Sequence, residues 1–119
     1  MKIAITSKGR DLDSQVDPRF GRAEYILIVD TDSLEVDAVD NSENINAFKG
    51  AGIQAAVLVG KKGAKALLTG FCGPNAFKTL NAGGIKVGND ISGTVRDAIK
   101  AFNAGDVSFA DSANAEGHW

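Results

Sequence analysis

The sequence is poor in the side chains that hydrolytic enzymes and metal sites use most. Its 119 residues include one cysteine, Cys72, and one histidine, His118. A single cysteine cannot form an internal disulfide, which is typical of proteins in a reducing cytoplasm. A closed site for a soft metal ion needs several cysteine, histidine or carboxylate ligands at set spacings. We therefore expect that any metal group is not held mainly by direct protein ligands.

Long apolar runs and an excess of positive charge are missing as well. No apolar run approaches the roughly 18 residues of a membrane span. The N-terminal segment turns polar after its sixth residue, unlike a signal peptide. The net charge of −2 gives no basic excess for binding nucleic acid. We expect a cytoplasmic protein that binds neither membranes nor nucleic acid.

Signatures of nucleotide binding and of nucleophilic catalysis are also absent. No Gly-x-Gly-x-x-Gly follows a predicted strand, and no Gly-x-x-x-x-Gly-Lys-Ser/Thr occurs. A Cys–His nucleophile pair would need His118 to reach Cys72 from a terminal segment, and such segments are commonly poorly ordered. We therefore expect that the protein is not an enzyme. A thiol enzyme that uses Cys72 is the less favoured alternative.

Apolar and alternating segments predict five strands. The run Ile3–Ile5 predicts a buried strand that begins near residue 1. The β-branched and aromatic segment 25–30 and the alternating segment 34–40 predict a hairpin. Short apolar runs at 64–70 and 85–88 predict two more strands.

Two helices are predicted between these later strands. Segment 51–63 predicts a helix that buries Ile53, Val57 and the neighbouring alanines. The second helix begins at Pro74, because proline favours the first helical position. It ends at the glycine pair 83–84.

A third helix is predicted after Ser92 or Thr94, either of which can cap its start. Its buried face carries apolar residues at i, i+4 and i+7, which are Val95, Ile99 and Phe102, and its end is Gly105. The resulting order, βββαβαβα, predicts a single α/β domain with a five-stranded mixed sheet and helices on its faces. We expect this domain to span residues 1–105 and the polar segment 106–119 to be a loose tail.

The first of three glycine-bearing loops, residues 7–22, concentrates positive charge. Its cations are Lys8, Arg10, Arg19 and Arg22. Arginine side chains donate several hydrogen bonds to oxyanions and other diffuse anions. Three aspartates lie among these cations, so ion pairing at the surface is the alternative. We expect Phe20 to anchor the loop to the core.

The second and third loops lead into predicted helices. The second, residues 48–52, carries Phe48, Gly50 and Gly52. The third is GFCGPN, residues 70–75. Backbone N–H groups at a helix start are unsatisfied and attract anions. Glycines at these positions remove side chains that would keep a ligand away from the N–H groups.

Cys72 lies in the third loop. The start of a helix can lower the pKa of a nearby thiol, and a lowered pKa is one of two interpretations of Cys72. The alternative is a plain helix start with a small buried cysteine. If the three loops faced one cleft, they would form a pocket for an anion or a cluster, but the sequence does not show that they do.

Four segments, in this order and spacing, resemble the dinitrogenase iron–molybdenum cofactor-binding family. They are DPRFGRAEYILIVD (17–30), GAGIQAAVLV (50–59), TGFCGPNAFKTLNAGGIKV (69–87) and GTVRDAIKAFNAG (93–105). This family includes small carriers of nitrogenase cofactor precursors. The loop SKGRDLDSQVDPRFGR (7–22) and the length are especially similar to those of a member that carries a molybdenum–copper sulfide cluster.

The resemblance implies a three-layer, ribonuclease-H-like fold and non-covalent carriage of an anionic metal–sulfide cluster. The implied cluster contains molybdenum, with copper as in that member, and its implied partners are protein acceptors. Such a cluster brings its own sulfides, so the protein needs N–H donors, cations and apolar walls. With the loop residues included, the candidate cofactor-binding residues are Lys8, Arg10, Arg19, Phe20, Arg22, Phe48, Gly50, Gly52, Phe71, Cys72, Gly73, Pro74 and Asn75.

One difference from the family bears on the cargo. Some members have histidine or cysteine around the second loop, whereas residues 46–52 here are NAFKGAG. An iron–molybdenum cofactor precursor bound through protein ligands is therefore the less favoured cargo. Cys72 remains the candidate metal ligand because it is the one soft side chain in the loops. The alternative function is a regulatory or interaction domain that acts through protein partners without a bound cluster.

Overall fold

One mixed sheet organises the computed structural model, which describes residues 1–42 and 50–110. Its strands are β1 (Lys2–Ser7), β2 (Tyr25–Asp30), β3 (Val36–Asp40), β4 (Ala66–Leu68) and β5 (Lys86–Gly88). They are arranged in the order β3-β2-β1-β4-β5. The β1–β2 and β2–β3 pairs are antiparallel, and the β1–β4 and β4–β5 pairs are parallel. The predicted hairpin and the predicted mixed sheet are confirmed.

Three helices in the described residues cover the two faces of this sheet. They are α1 (Ala51–Lys61), α2 (Pro74–Ala82) and α3 (Val95–Asn103). The alternation along β1 divides the core, because successive side chains point to opposite faces of a strand. Ala4 packs in the cluster that includes residues of α1 and α2, whereas Ile3 and Ile5 pack in the cluster that includes residues of α3. The result is the predicted three-layer α/β domain.

The ends of α2 and α3 follow from local chemistry. Pro74 is the first residue of α2, as the sequence predicts. Thr94 caps α3 and forms a reciprocal capping box with Asp97, which decides between the two predicted caps. Within the described ranges, no helix has the length and apolar character needed to cross a membrane.

The predicted buried face of α1 is wrong. Ile53 and Val57 are 40% and 45% exposed, and the buried residues of α1 are Ala51, Ala55, Ala56 and Val59. The helix is apolar on several sides, so its periodicity alone does not identify the inner face. Small side chains face inward because α1 packs closely on its neighbours. A Cβ atom on Gly52, for example, would lie 3.1 Å from the Cβ of Ala76 in α2.

Part of the expected loose tail, residues 106–110, pairs with the sheet. The N–H of Ala110 donates to the carbonyl of Val87 over 2.8 Å, and Phe109 forms a bridge with Gly88. The ring of Phe109 also packs edge-on against Phe102, with 6.3 Å between centroids. The physical reason is that β5 is the last strand of the sheet and presents unpaired backbone groups. The rest of the predicted tail, including His118, lies outside the described residues.

Candidate functional site

The long loop between β1 and β2 is fixed to the loop after β4 by backbone hydrogen bonds. The N–H of Phe71 donates to the carbonyl of Pro18 over 2.6 Å, and the N–H of Phe20 donates to the carbonyl of Phe71 over 3.1 Å. A Cβ atom on Gly70 would lie 2.7 Å from the Cα and carbonyl oxygen of Pro18, so only glycine fits there. The first and third loops therefore meet at the carboxyl ends of parallel strands, where α/β folds present ligands.

A buried hydrogen-bond network connects the first and third loops beneath this junction. The hydroxyl of Thr6 lies 2.6 Å from the carbonyl oxygen of Asp17 and 2.8 Å from the hydroxyl of Thr69. All three residues are buried. Since an unmade buried hydrogen bond is costly, this network holds the two loops at a fixed separation.

The first loop also touches the beginning of α1. A Cβ atom on Gly21 would lie 2.8 Å from the Cα of Gly52, and Gly21 has a φ of +91° that favours glycine. A Cβ atom on Gly52 would lie 3.1 Å from the Cβ of Ala76 in α2. Glycine at these two positions allows the first loop, α1 and α2 to approach closely.

One small cleft lies where these elements meet. Its volume is about 50 Å³, and its lining residues are Phe20, Gly50, Ala51, Gly52, Ile53, Gly73, Asn75 and Ala76. Parts of all three glycine-bearing loops therefore face one cleft, which the sequence did not show. Phe20 is buried at the cleft floor, as expected of an anchor. Phe48 lies outside the described residues.

The helices that begin at the cleft have bare N-termini. The N-cap residues of α1 and α2 are Gly50 and Gly73, and neither helix has a side-chain cap or an acidic residue in its first turn. By contrast, α3 is capped by Thr94 and Asp97. Uncapped N–H groups and the positive end of the helix dipole attract anions. Pro74 carries no N–H, so the donors of α2 at this end begin with Asn75.

Cys72 is buried beneath the third loop rather than exposed in the cleft. Its side chain is 0% exposed and belongs to the apolar cluster of α1 and α2. Burial raises the pKa of the Cys72 thiol to about 12. This favours the second interpretation over a lowered pKa, because the loss of hydration disfavours the thiolate. The structure fits the alternative of a small buried cysteine, and metal ligation by Cys72 stays a prediction.

The arginines of the first loop flank the anchor Phe20. The Nε of Arg19 lies 3.9 Å from a carboxylate oxygen of buried Asp17, and half of the Arg19 side chain is exposed. The same carboxylate accepts a hydrogen bond from the N–H of Arg19 over 3.1 Å. Arg22 is partly buried, and its N–H donates to the carbonyl of Arg19 over 3.3 Å. Both arginines thus lie in the turn that brings Phe20 to the cleft.

None of the four cations of the first loop lines the cleft, Arg19 and Arg22 included, and neither does Phe71. The Nε of Arg10 donates to the hydroxyl of Tyr25 over 3.3 Å, and its guanidinium lies over the Tyr25 ring. This ring packs against the cluster on the α3 side of the sheet. Arg10 therefore lies on the face of the sheet opposite the cleft. Lys8 is exposed at the beginning of the loop, and Phe71 is exposed beside Arg19.

The structure adds residues that the sequence analysis missed. Ala51, Ile53 and Ala76 line the cleft because they occupy the first turns of α1 and α2. Their positions just after Gly50 and Gly73 in the sequence could have identified them as lining residues. Asp17, one of the three aspartates of the first loop, pairs with Arg19 but is buried beneath the loop rather than at the surface. Among residues 1–42 and 50–110, no group of three or more histidine, cysteine or acidic residues is arranged to hold a metal ion.

Comparisons with known proteins agree with one another. The profile of the family described as dinitrogenase iron-molybdenum cofactor matches residues 1–105. The apo form of the orange protein from Desulfovibrio gigas is 46% identical, with a TM-score of 0.93 and 96% of each chain covered. A Thermotoga protein solved by NMR is 40% identical, with a TM-score of 0.82 and 98% of each chain covered.

A more distant relative comes from Methanocaldococcus jannaschii. This uncharacterised protein is 29% identical over 107 residues, which are 88% of this chain and 87% of the relative. The similarity covers 96% and 98% of this chain for the two solved structures and 88% for this relative.

Proposed function

The chain belongs to the dinitrogenase iron-molybdenum cofactor family, and on this premise we propose that it is a carrier or scaffold for an anionic metal–sulfide cluster. The cluster contains molybdenum, and the resemblance of the loop 7–22 to that of a family member with a molybdenum–copper sulfide cluster supports copper as the second metal. An iron–molybdenum cofactor precursor is the less favoured cargo. The protein acts as a carrier in the cytoplasm and passes the cluster to protein acceptors, rather than acting as an enzyme.

The observation that carries this proposal is the pair of bare helix starts at one cleft. Gly50 and Gly73 place the first turns of α1 and α2 at the same cavity, and neither turn has a side-chain cap. Two helix dipoles and their N–H donors then favour the same bound anion. The capped start of α3 shows that the fold uses a side-chain cap elsewhere.

The chemistry of a metal–sulfide cluster matches this set of donors. Its sulfides already complete the coordination of the metals, so the protein supplies hydrogen bonds, positive charge and apolar walls. Phe20 and Ile53 provide apolar walls. Arg19 and Arg22 lie in the turn that carries Phe20, and we infer that they supply positive charge to a cluster at the mouth of the cleft. A cleft of about 50 Å³ holds little more than a few water molecules. We therefore place the cluster across the mouth of the cleft, with the N–H groups beneath it.

We further propose that Cys72 does not ligate the metals in this conformation. Its sulfur is buried, and its raised pKa keeps the thiol protonated at neutral pH. Only a thiolate is an effective metal ligand. The same property weighs against a thiol enzyme. Substitution Cys72→Ser should leave the metal content of a loaded protein unchanged, whereas loss of metal would make Cys72 a ligand.

The first experiment is cluster uptake by apo-protein. The protein is incubated with tetrathiomolybdate and copper, desalted, and examined by elemental analysis and visible spectroscopy. We expect molybdenum and copper to co-elute with the protein together with a new charge-transfer band. A colourless, metal-free protein would overturn the carrier proposal and favour the interaction domain.

A matched pair of variants tests the role of the helix start. Gly50 has a φ of +82°, and among the described residues a Cβ atom there would meet only the end of the Gln54 side chain, at 3.9 Å. Asparagine and aspartate both tolerate this conformation, so Gly50→Asn and Gly50→Asp should fold alike. The added carboxylate of Gly50→Asp occupies the positive end of α1 and repels an anion. We expect metal retention to fall in Gly50→Asp and to change little in Gly50→Asn. Equal retention in both would contradict this placement.

A further inference from the structure

An open groove lies at the far end of the parallel strands from the cluster cleft. Its volume is about 510 Å³, and its floor includes Ala66, Phe102 and Phe109. Lys65 and Lys86 stand beside this floor, at the beginning of β4 and β5. Residue 65 precedes β4 directly, and the N–H of Lys86 donates to the carbonyl of Lys65 over 3.2 Å. We call this surface the basic groove.

The charge of the basic groove is of one sign. Two lysines line it, and none of its described lining residues is acidic, although the protein has a net charge of −2. The Nζ of Lys86 lies 5.5 Å from the centre of the Phe109 ring, so one cation is held against the aromatic floor. Apolar surface next to two lysines, with no acidic residue in the described lining, favours an occupant that combines an apolar side chain with carboxylates.

The basic groove is open, which favours a protein segment over a small molecule as its occupant. Met1 at its edge is 57% exposed, and Phe109 is 40% exposed. Small-molecule pockets commonly bury about 70–90% of their ligand, which an open surface cannot do. An apolar floor with a charged rim is instead the arrangement of a protein interface.

We propose that the basic groove binds an acidic segment of a partner protein, with an apolar side chain on Phe102 and Phe109 and carboxylates on Lys65 and Lys86. This binding surface goes beyond cluster carriage, since it lies at the opposite ends of β4 and β5 from the cleft. A partner bound here leaves the mouth of the cleft uncovered. The binding test below contains no metal, so either proposal can fail without the other.

The test is an NMR titration of the full chain, labelled with ¹⁵N, with a synthetic probe peptide. The probe is acetyl-Glu-Asp-Leu-Phe-Asp-Glu-amide, and a peptide with lysine in place of each acidic residue is the control. We expect the acidic probe to shift the amide signals of Lys65, Lys86 and Phe109, and the basic control to leave them unchanged. No shift at these residues up to millimolar probe would overturn the proposal.

Two double variants distinguish an effect of the groove lysines from an effect of net charge. Lys65→Glu/Lys86→Glu reverses the groove cations, whereas Lys78→Glu/Lys100→Glu makes the same change in net charge away from the groove. We expect the first variant to bind the acidic probe roughly tenfold more weakly and the second to bind it like the original chain. Equal weakening in both variants would show an effect of net charge alone and would overturn the proposal.

Two other occupants of the basic groove would also be detected. If the groove variant moves the amide signals of residues 111–119 before any peptide is added, the occupant is this chain's own terminal segment. If sedimentation shows association that the groove variant abolishes, the occupant is a second copy of the chain. Either result would overturn binding of a partner segment.

Discussion

At the scale of single residues, Cys72 has a different environment in the structure from the one that its position in the sequence indicates. The sequence places this thiol just before a helix, which favours a thiolate. The fold instead buries it in an apolar cluster, and desolvation outweighs the nearby helix start because a buried charge loses its hydration. Cys72 is therefore a core residue, and the donors left for an anion at this loop are backbone N–H groups.

The burial of Cys72 predicts a loss of stability at alkaline pH. The pKa of about 12 in the folded protein exceeds the ordinary thiol value of about 8.5 expected on unfolding. The stabilising contribution is therefore complete below about pH 8.5 and is lost as the pH rises towards 12. Between about pH 8 and pH 10, we expect the free energy of unfolding to fall by about 1–2 kcal/mol more in the original protein than in Cys72→Ala.

Urea unfolding of both proteins at the two pH values provides the measurement. Cys72→Ala is the control because it keeps every other titrating group of the chain. Parallel pH profiles for the two proteins would contradict the assignment of a raised thiol pKa.

At the scale of elements, the cleft depends on how closely the first loop approaches α1 and α2. Gly21 contacts Gly52, and Gly52 contacts Ala76, so no Cβ separates the backbone of the loop from the start of α1. The close approach brings the N-termini of two helices to one cavity. It also explains why α1 turns alanines rather than Ile53 and Val57 inward.

This close approach predicts an unequal effect of two alanine substitutions. Gly21 and Gly63 both have positive φ angles, +91° and +80°. A Cβ atom would overlap Gly52 at the first site, whereas at the second it would meet no atom of the described residues within 4 Å. Gly63→Ala therefore loses stability only because alanine is strained at a positive φ angle. We expect Gly21→Ala to lower the free energy of unfolding by about 1–3 kcal/mol more than Gly63→Ala, because it adds overpacking.

Thermal or urea unfolding of the two variants tests this difference. Gly21→Ala should also weaken metal retention in the uptake experiment, while Gly63→Ala should retain metal like the original chain. Equal stability and equal retention would show that the contact of the loop with α1 does not shape the cleft.

At the scale of the whole molecule, charge is distributed so that an acidic protein can still attract an anion locally. The net charge is −2, yet Arg19 flanks Phe20, which lines the cleft at the two bare helix starts, and Arg22 lies in the same turn. Asp17 is nearby but buried, and one of its oxygens is occupied by the N–H of Arg19. Helix dipoles and arginines act at short range, whereas the net charge acts at longer range and is screened by salt.

The proposed role of this local field predicts salt-dependent binding. Charge reversal in Arg19→Glu should reduce the molybdenum retained after desalting by roughly threefold to tenfold. The reduction should be larger at about 0.01 M than at about 1 M salt, where the Debye length falls from about 30 to about 3 Å. Lys100→Glu, on the opposite side of the sheet, makes the same change in net charge. Retention that is equal in the two variants would contradict the position of the cluster beside Arg19.

The sequence by itself determined the order of elements, because that order is written in local patterns. The β-branched segment 25–30, Pro74 at a helix start and the spacing of Val95 with Ile99 each act within a few residues. The same patterns indicated which loops carry glycine and arginine, and the family resemblance pointed to an anionic cluster. These features needed no knowledge of distant contacts.

Only the tertiary structure decided which groups meet. Arg10 and Arg19 belong to one loop, but Tyr25 holds Arg10 on the α3 side while Asp17 and Phe71 hold Arg19 near the cleft. The inner face of α1, the burial of Cys72 and the pairing of Ala110 with Val87 also depend on residues far away in the chain. The physical reason is that burial, desolvation and close backbone contact arise from packing between elements, which local periodicity does not encode.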